Sequence, residues 1–274
     1  MKIDVYPLPD LVPANADPDA AVFIDVLRAT STMTVALTHG AERIIPVADP
    51  QETLRIKERM IAERPAMAGQ ILTGGERHGV KIAGFDLGNS PAEYTPEKVS
   101  GKTILFSTTN GTRAILSLKS GRTRKFLGTF LAADALCRYL ADTESIQSVA
   151  IICAGTDRQY TEEDLLLAGL LTDSMTKRLE SSETRPETVE KIERNTVAET
   201  VCRQWQQFVR ALDHSLQDAA LAETLQQSRG GQNLVRVALT SDIPDVARLD
   251  RFETIAEYRL GEIRLMKESG KRQP

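Results

Sequence analysis

Along the first two-thirds of the chain, short continuous apolar runs alternate with segments whose apolar residues recur at helical spacing. The runs fall at 21–26 (AVFIDV), 43–47, 69–73, 103–107, 125–128 and 148–154 (SVAIICA). Runs of that length, flanked by polar punctuation, predict strands buried on both faces. Helices are predicted between them: an amphipathic segment ending about His39, one starting at Asp49-Pro50, and others over 112–119, 132–141 and 161–179. Asp49 suits an N-cap and Pro50 the first helical position. The alternation predicts an α/β fold, a layered α/β/α arrangement with a mostly parallel or mixed sheet.

Beyond residue 180 the texture changes. Residues 181–187 (SSETRPE) form a polar connector, and 188–227 is nearly all helix-forming, with Val201, Trp205, Phe208 and Leu212 at helical spacing. This predicts a helical insertion in the C-terminal third, packed as an αα-hairpin or as a cap on the sheet, with Trp205 in the core. Gly230-Gly231 is expected to break the helix, and 252–266 to return as a short strand or hairpin. The implied organisation is a core over 1–180 and a packed-on segment over 181–274, or one continuous domain.

Composition narrows the function classes. The 274 residues carry 34 Lys+Arg against 38 Asp+Glu, a formal net charge of −4, which argues against a general nucleic-acid binder. A 41% hydrophobic content excludes a disordered chain. Cys137, Cys153 and Cys202 are odd in number and widely spaced, so they read as reduced thiols and not as a disulfide framework or zinc site. Asp4, Pro7 and Pro9 interrupt any signal-peptide core, and no apolar run approaches the ~18 residues of a membrane helix. A cytoplasmic protein with no membrane partner is expected. Any phosphate site must be a local concentration of donors inside an anionic chain.

Polar residues suited to chemistry collect after the predicted strands, the edge where ligands bind in open α/β sheets. Asp25 ends an apolar strand, where an ionised carboxylate needs a metal or a partner such as Arg28. Thr30, Ser31 and Thr32 follow at a helix start, able to bind an anion or simply to cap. Gly74-Gly75-Glu76-Arg77 offers a metal ligand and an anion clamp, or an ordinary turn. Asn89 and Ser90 lie in a Gly/Asn/Pro turn. Thr108, Thr109, Asn110, Gly111, Thr112 and Arg113 form a candidate phosphate cradle, and an arginine in a first helical turn opposes the macrodipole unless an anion is present. Gly155 leads to Glu162, Glu163 and Asp164, dipole complements that could also join Asp25 around a divalent ion.

Other chemistries fall away. Arg158 follows Cys153 one position too early for a cysteine-phosphatase loop, which leaves Cys153 as a buried thiol. Of His39, His78 and His214 only His78 lies near the polar clusters, and neither a zinc pair nor a Ser-His-Asp order stands out. No Walker A loop is present.

Four blocks, FIDVLRATST (23–32), GGER (74–77) with GFDLGNSP (84–91), TTNGTR (108–113) and CAGTDRQYTEED (153–164), resemble the 2-phosphosulfolactate phosphatases, the ComB-like family. The resemblance covers roughly residues 1–180 and extends more loosely through Gly230-Gly231 and Ser241-Asp242-Ile243. It implies an α/β, Mg²⁺-dependent phosphomonoester hydrolase that converts (2R)-2-phospho-3-sulfolactate to 3-sulfolactate in coenzyme M biosynthesis. On that reading Asp25, Glu76 and one acidic residue of Glu162, Glu163 and Asp164 hold Mg²⁺. Asp25, Arg28 and Arg113 serve catalysis, and Thr30, Ser31, Thr32, Arg77, Asn89, Ser90, Gly155 and the 108–112 loop bind the small anionic substrate. Water attacks directly, or Asp25 acts as a covalent nucleophile.

The alternatives are a phosphatase for another phosphorylated 2-hydroxy acid and a non-catalytic module for anionic metabolites, although a module has no need of Asp25 and Glu76. A haloacid-dehalogenase-type enzyme wants a second Asp at the position of Leu27. A homodimer is the expected assembly on frequency grounds.

Overall fold

The computed structural model describes residues 1–181, 192–212 and 217–266. Its strands are β1 (Lys2–Tyr6), β2 (Ala20–Ile24), β3 (Arg43–Pro46), β4 (Ile71–Arg77), β5 (Val80–Lys81), β6 (Thr103–Ser107), β7 (Arg124–Gly128), β8 (Ser148–Cys153), β9 (Glu193–Arg194), β10 (Ala256–Arg259) and β11 (Glu262–Leu265). The helices are α1 (Ala29–Thr38), α2 (Pro50–Glu63), α3 (Pro96–Val99), α4 (Gly111–Ser117), α5 (Ala133–Asp142), α6 (Glu162–Ser181), α7 (Thr196–Arg210), α8 (Gln217–Gln227), α9 (Arg229–Arg236) and α10 (Asp242–Val246).

The strands form one mixed sheet in the order β5-β4-β6-β3-β11-β10-β7-β2-β8-β1-β9. Every residue of β2 is buried, and the pleat sorts them onto two faces. Ala20, Val22 and Ile24 pack with Val149, Ile151 and Cys153 of β8 under α5, α6 and α7. Ala21 and Phe23 pack with Ala150 and Ile152 under α1 and α4 on the other face. Continuous apolar runs therefore mark central strands covered on both sides, and the layered α/β/α expectation is met. Trp205, on α7, is in the first of these cores.

Parallel pairing groups the strands into two blocks, β7-β2-β8-β1-β9 and β3-β6-β4. The tail joins them. β10 and β11 form an antiparallel hairpin, β10 pairing with β7 and β11 with β3. Residues 252–266, expected as a short strand or hairpin, thus sit in the middle of the sheet. Salt bridges Arg124–Glu257 (2.8 Å) and Arg43–Glu262 (2.6 Å) tie both hairpin strands to their neighbours. Following the ladder, the two blocks run in opposite senses, so the polar clusters after β2 and β8 and those after β4 and β6 come from two strand-end edges. Sheet twist, which accumulates from strand to strand, lets such edges converge.

Two local expectations are corrected. β4 runs through Gly74-Gly75-Glu76-Arg77, so that segment is strand and not a turn. The break before α9 falls at Ser228, whose Oγ accepts from the Gly231 amide (3.2 Å), and both glycines lie inside the helix. Residues 182–187 of the predicted connector, the start of the predicted helical stretch at 188–191, and His214 lie outside the described residues.

Candidate active site

A cavity of about 290 Å³ opens where the two edges meet, lined on the sheet side by Asp25, Arg28, Glu76, Asn89, Thr109 and Asn110. α9 supplies the facing wall through Gly230, Asn233, Leu234 and Arg236, with Val237 just beyond its end. His78 and Gly79, from the β4–β5 turn, and Thr156 and Asp157, from the loop after β8, complete the rim.

Each acidic side chain of the sheet wall is set by main-chain donors. Asp25 leaves the end of β2, and its Oδ1 accepts from the Ala29 amide at the start of α1 (3.2 Å). Its Oδ2 lies against Gly111, where a Cβ would come within 2.7 Å of that oxygen. Glu76, at the end of β4, accepts from the Thr109 and Gly79 amides, each at 2.8 Å. Asp164, in the first turn of α6, accepts from Val26 (2.9 Å) and Gly155 (3.1 Å), pinning the ends of β2 and β8 together. Glu163 sits against the Ser228 hydroxyl and the Gly230 amide. A Cβ on Gly230 would be 2.0 Å from its Oε1, so only glycine lets α9 approach this closely.

These carboxylates crowd one another. Burial, reinforced by Glu76 and Glu163, pushes the Asp25 carboxyl up to about 7, against the opposing pull of the Ala29 amide and Arg28. Burial raises Glu163, and burial together with Glu163 and Asp25 raises Asp164 well above the usual carboxylate range. Three buried oxygens here have no hydrogen-bond partner: Glu163 Oε2, Asn89 Oδ1 and Thr109 Oγ1.

Uncommitted hard oxygens beside mutually repelling carboxylates are the donor chemistry of a hard cation. Among the described residues no three His, Cys, Asp or Glu side chains converge tightly enough to enclose an ion by themselves. Mg²⁺ commonly takes only one or two protein carboxylates and keeps water for the rest. Asp25 and Glu163, each with an uncommitted oxygen, could supply them.

The family model for 2-phosphosulpholactate phosphatase matches residues 6–261. The chain belongs to the 2-phosphosulfolactate phosphatase family. A probable 2-phosphosulfolactate phosphatase of Symbiobacterium thermophilum is 37% identical over 90% of this chain and 94% of its own length. Proteins of the same description from Carboxydothermus hydrogenoformans and Trichormus variabilis are 33% and 32% identical, over 99% and 91% of this chain and 99% and 93% of theirs.

Within this phosphatase family member, the structure sorts the expected site residues into three groups. Asp25, Arg28, Glu76, Asn89, Thr109 and Asn110 line the cavity, and Gly111 and Glu163 lie directly behind it. A second group builds the frame. The Thr30 hydroxyl donates to Asp25 O (2.9 Å), Ser31 to Val26 O (2.9 Å) and Thr32 to Asn89 O (2.8 Å), so this trio braces two loops and has no hydroxyl turned to a ligand. Thr108 and Thr112 bond each other, Gly155 donates to Asp164, and Ser90 donates to Asp242 (2.6 Å). Asp164, an alternative to Glu163 at the expected metal, has both oxygens on backbone amides.

The third group is the arginines expected to meet the substrate. Arg77 and Arg113 line a neighbouring groove, where Arg77 donates to Ala48 O (2.7 Å) and Arg113 pairs with Asp10 (2.7 Å). The anion that Arg113 implied is therefore a carboxylate of the protein itself. Arg28 does reach the cavity, but as a buried pair with Asp242 (2.6 Å), its side chain 2% exposed. It does not pair with Asp25.

Sequence reasoning missed the α9 wall. Its signal was Gly230-Gly231, read as a helix breaker when it marks a close helix approach.

Proposed function

We propose that this chain hydrolyses the phosphomonoester of (2R)-2-phospho-3-sulfolactate to 3-sulfolactate and inorganic phosphate, with Mg²⁺ held by Asp25 and Glu163. The observation that carries the reading is the pair of uncommitted carboxylate oxygens at the cavity, Asp25 Oδ2 on its wall and Glu163 Oε2 behind it, beside an arginine already neutralised, in a member of a phosphatase family. An anionic phosphoester would be repelled by that wall alone. Mg²⁺ held by Asp25 and Glu163 would supply the missing positive charge and Lewis-acid polarisation for a phosphoryl group.

The rest is positioning by the chain. The Ala29 amide holds Asp25 Oδ1 and leaves Oδ2 turned toward Gly111 and the cavity. Glu76, clamped between two amides, fixes the loop carrying Thr109 and Asn110 against the β4–β5 turn. These groups need no rearrangement as charge develops, which is how preorganised sites lower barriers. The bond between phosphorus and the 2-oxygen breaks as the water oxygen bonds to phosphorus; one proton of that water ends on the 2-oxygen, which leaves as the hydroxyl of sulfolactate, and the other stays on inorganic phosphate.

A phosphate-release panel over phosphorylated 2-hydroxy acids tests the reading. Phosphosulfolactate should exceed phospholactate by at least about tenfold in kcat/KM. Activity should vanish on chelation and return with Mg²⁺. Binding without turnover would make the protein a metabolite-binding module and overturn the proposal; an aspartyl-phosphate trapped at Asp25 would replace direct water attack with a covalent route.

A further inference from the structure

The substrate of this reaction would carry a sulfonate and a carboxylate besides its phosphoryl group, and the sheet wall offers them no free cation. Asp25, Glu76 and Asp157 are all acidic lining groups, and Arg28 is neutralised by Asp242. Arg77 and Arg113 are in the neighbouring groove. Arg236, at the C-terminal end of α9, also lines the cavity. It is exposed, its bond is to the neutral Asn233 amide oxygen, and it has no acidic partner among the described residues.

The placement suits a second anion. Gly230 abuts Glu163 at one end of α9, and Arg236 lies six residues on, about 9 Å along the helix axis. Val237 meets Gly79 of the β4–β5 turn, where a Cβ would come within 3.4 Å of its Cγ2. The helix therefore runs from the carboxylate end of the cavity to its mouth and presents its guanidinium there. Resting on the phosphatase reading above, we propose that Arg236 binds the non-reacting anionic end of the substrate and so determines specificity. A guanidinium matches carboxylate and sulfonate oxygens through paired N–H donors. A basic residue in a last helical turn also complements the helix dipole, but that role affects helix stability and not substrate recognition.

The test compares R236Q, R236K and a control, R248Q, which removes the same charge from an exposed i,i+3 pair with Asp245 outside the cavity. R236Q should raise KM for phosphosulfolactate roughly 10–100-fold while kcat changes less than about threefold, and R236K should recover part of the loss. The loss should be at least about tenfold smaller for phenyl phosphate, which has no second anionic group. R248Q should follow the wild type. A KM within about twofold of wild type, or a kcat that falls in step with kcat/KM, overturns the assignment.

Calorimetric titration with 3-sulfolactate separates this proposal from the phosphatase reading. If the wild type releases no phosphate from any phosphorylated 2-hydroxy acid, that reading fails. Weaker 3-sulfolactate binding by R236Q would still support Arg236, whereas equal binding, or none by the wild type, would overturn it.

Discussion

At the sheet side of the cavity, backbone amides hold the carboxylates. Glu76 sits between two amides, Asp25 takes one, and Asp164 staples two strand ends. On the α9 side, the Asn233 and Arg236 side chains bond only each other among the described residues. The contrast separates two tasks. Groups that act on developing charge gain from rigidity, because nothing must reorganise during the reaction. A group that grips a substrate's far end can be a flexible cation, since it needs only reach and charge.

The comparison breaks most sharply at Asp25. Asp25→Asn should lower kcat at least about 10³-fold with Mg²⁺ saturating, and retention of most of the wild-type kcat would remove Asp25 from the centre of the mechanism. The same variant should not unfold the metal-free protein. The folded state holds the Asp25 proton up to about 7, far above the 3.8 of a free carboxyl, so its stability contribution is full below 3.8 and is lost as pH rises to about 7. Metal-free Asp25→Asn should therefore match or exceed the wild-type Tm at pH 8, read by calorimetry.

Asp242 ties the sheet wall to the C-terminal third. It receives Arg28 Nη1 on one oxygen and Ser90 Oγ on the other, both at 2.6 Å. Asp242→Ala leaves a buried guanidinium unpaired and should cost about 3–5 kcal/mol, measured by denaturant unfolding. A cost near that of a surface pair would mean that the two parts are joined elsewhere.

Glu163→Gln should weaken Mg²⁺ binding at least about tenfold in a calorimetric titration. Unaltered affinity would leave the cation, if bound, to Asp25 and its neighbours. The smallest effect is the pH dependence of that binding. A cation needs ionised Asp25, so affinity should rise with pH through about 7, by about tenfold between pH 6 and 8. Asp25→Asn should flatten this slope; a flat wild-type slope would show that Asp25 does not exchange its proton for the metal.

The loops carrying the chemistry were legible because each follows a strand whose apolar run announces it. Asp25 after AVFI, Thr109 and Asn110 after TILFS, and Glu163 just inside a helix all reach or back the cavity. The partners of the arginines were not legible. Arg28 meets Asp242 from 214 positions away, and Arg113 meets Asp10 from 103 positions away. A charged residue in a functional loop has the same local signature whether it faces a ligand or a distant side chain of its own protein. Thr30, Ser31 and Thr32 show the same ambiguity, since hydroxyls that could cradle an anion instead brace main-chain carbonyls.

By itself the sequence determined most of the central strands and the helices between them, the layered α/β class, and the loops on which chemistry could be placed, though not β1 or α9. Those follow from periodicity, and periodicity is local. Only the tertiary structure decided that the tail's hairpin joins two parallel blocks, that two strand-end edges share one cavity, and that α9 closes it. Those outcomes depend on long-range pairing: β10 with β7, β11 with β3, and Glu163 against Gly230. Such contacts form between residues whose neighbours in the chain contain no trace of the partner.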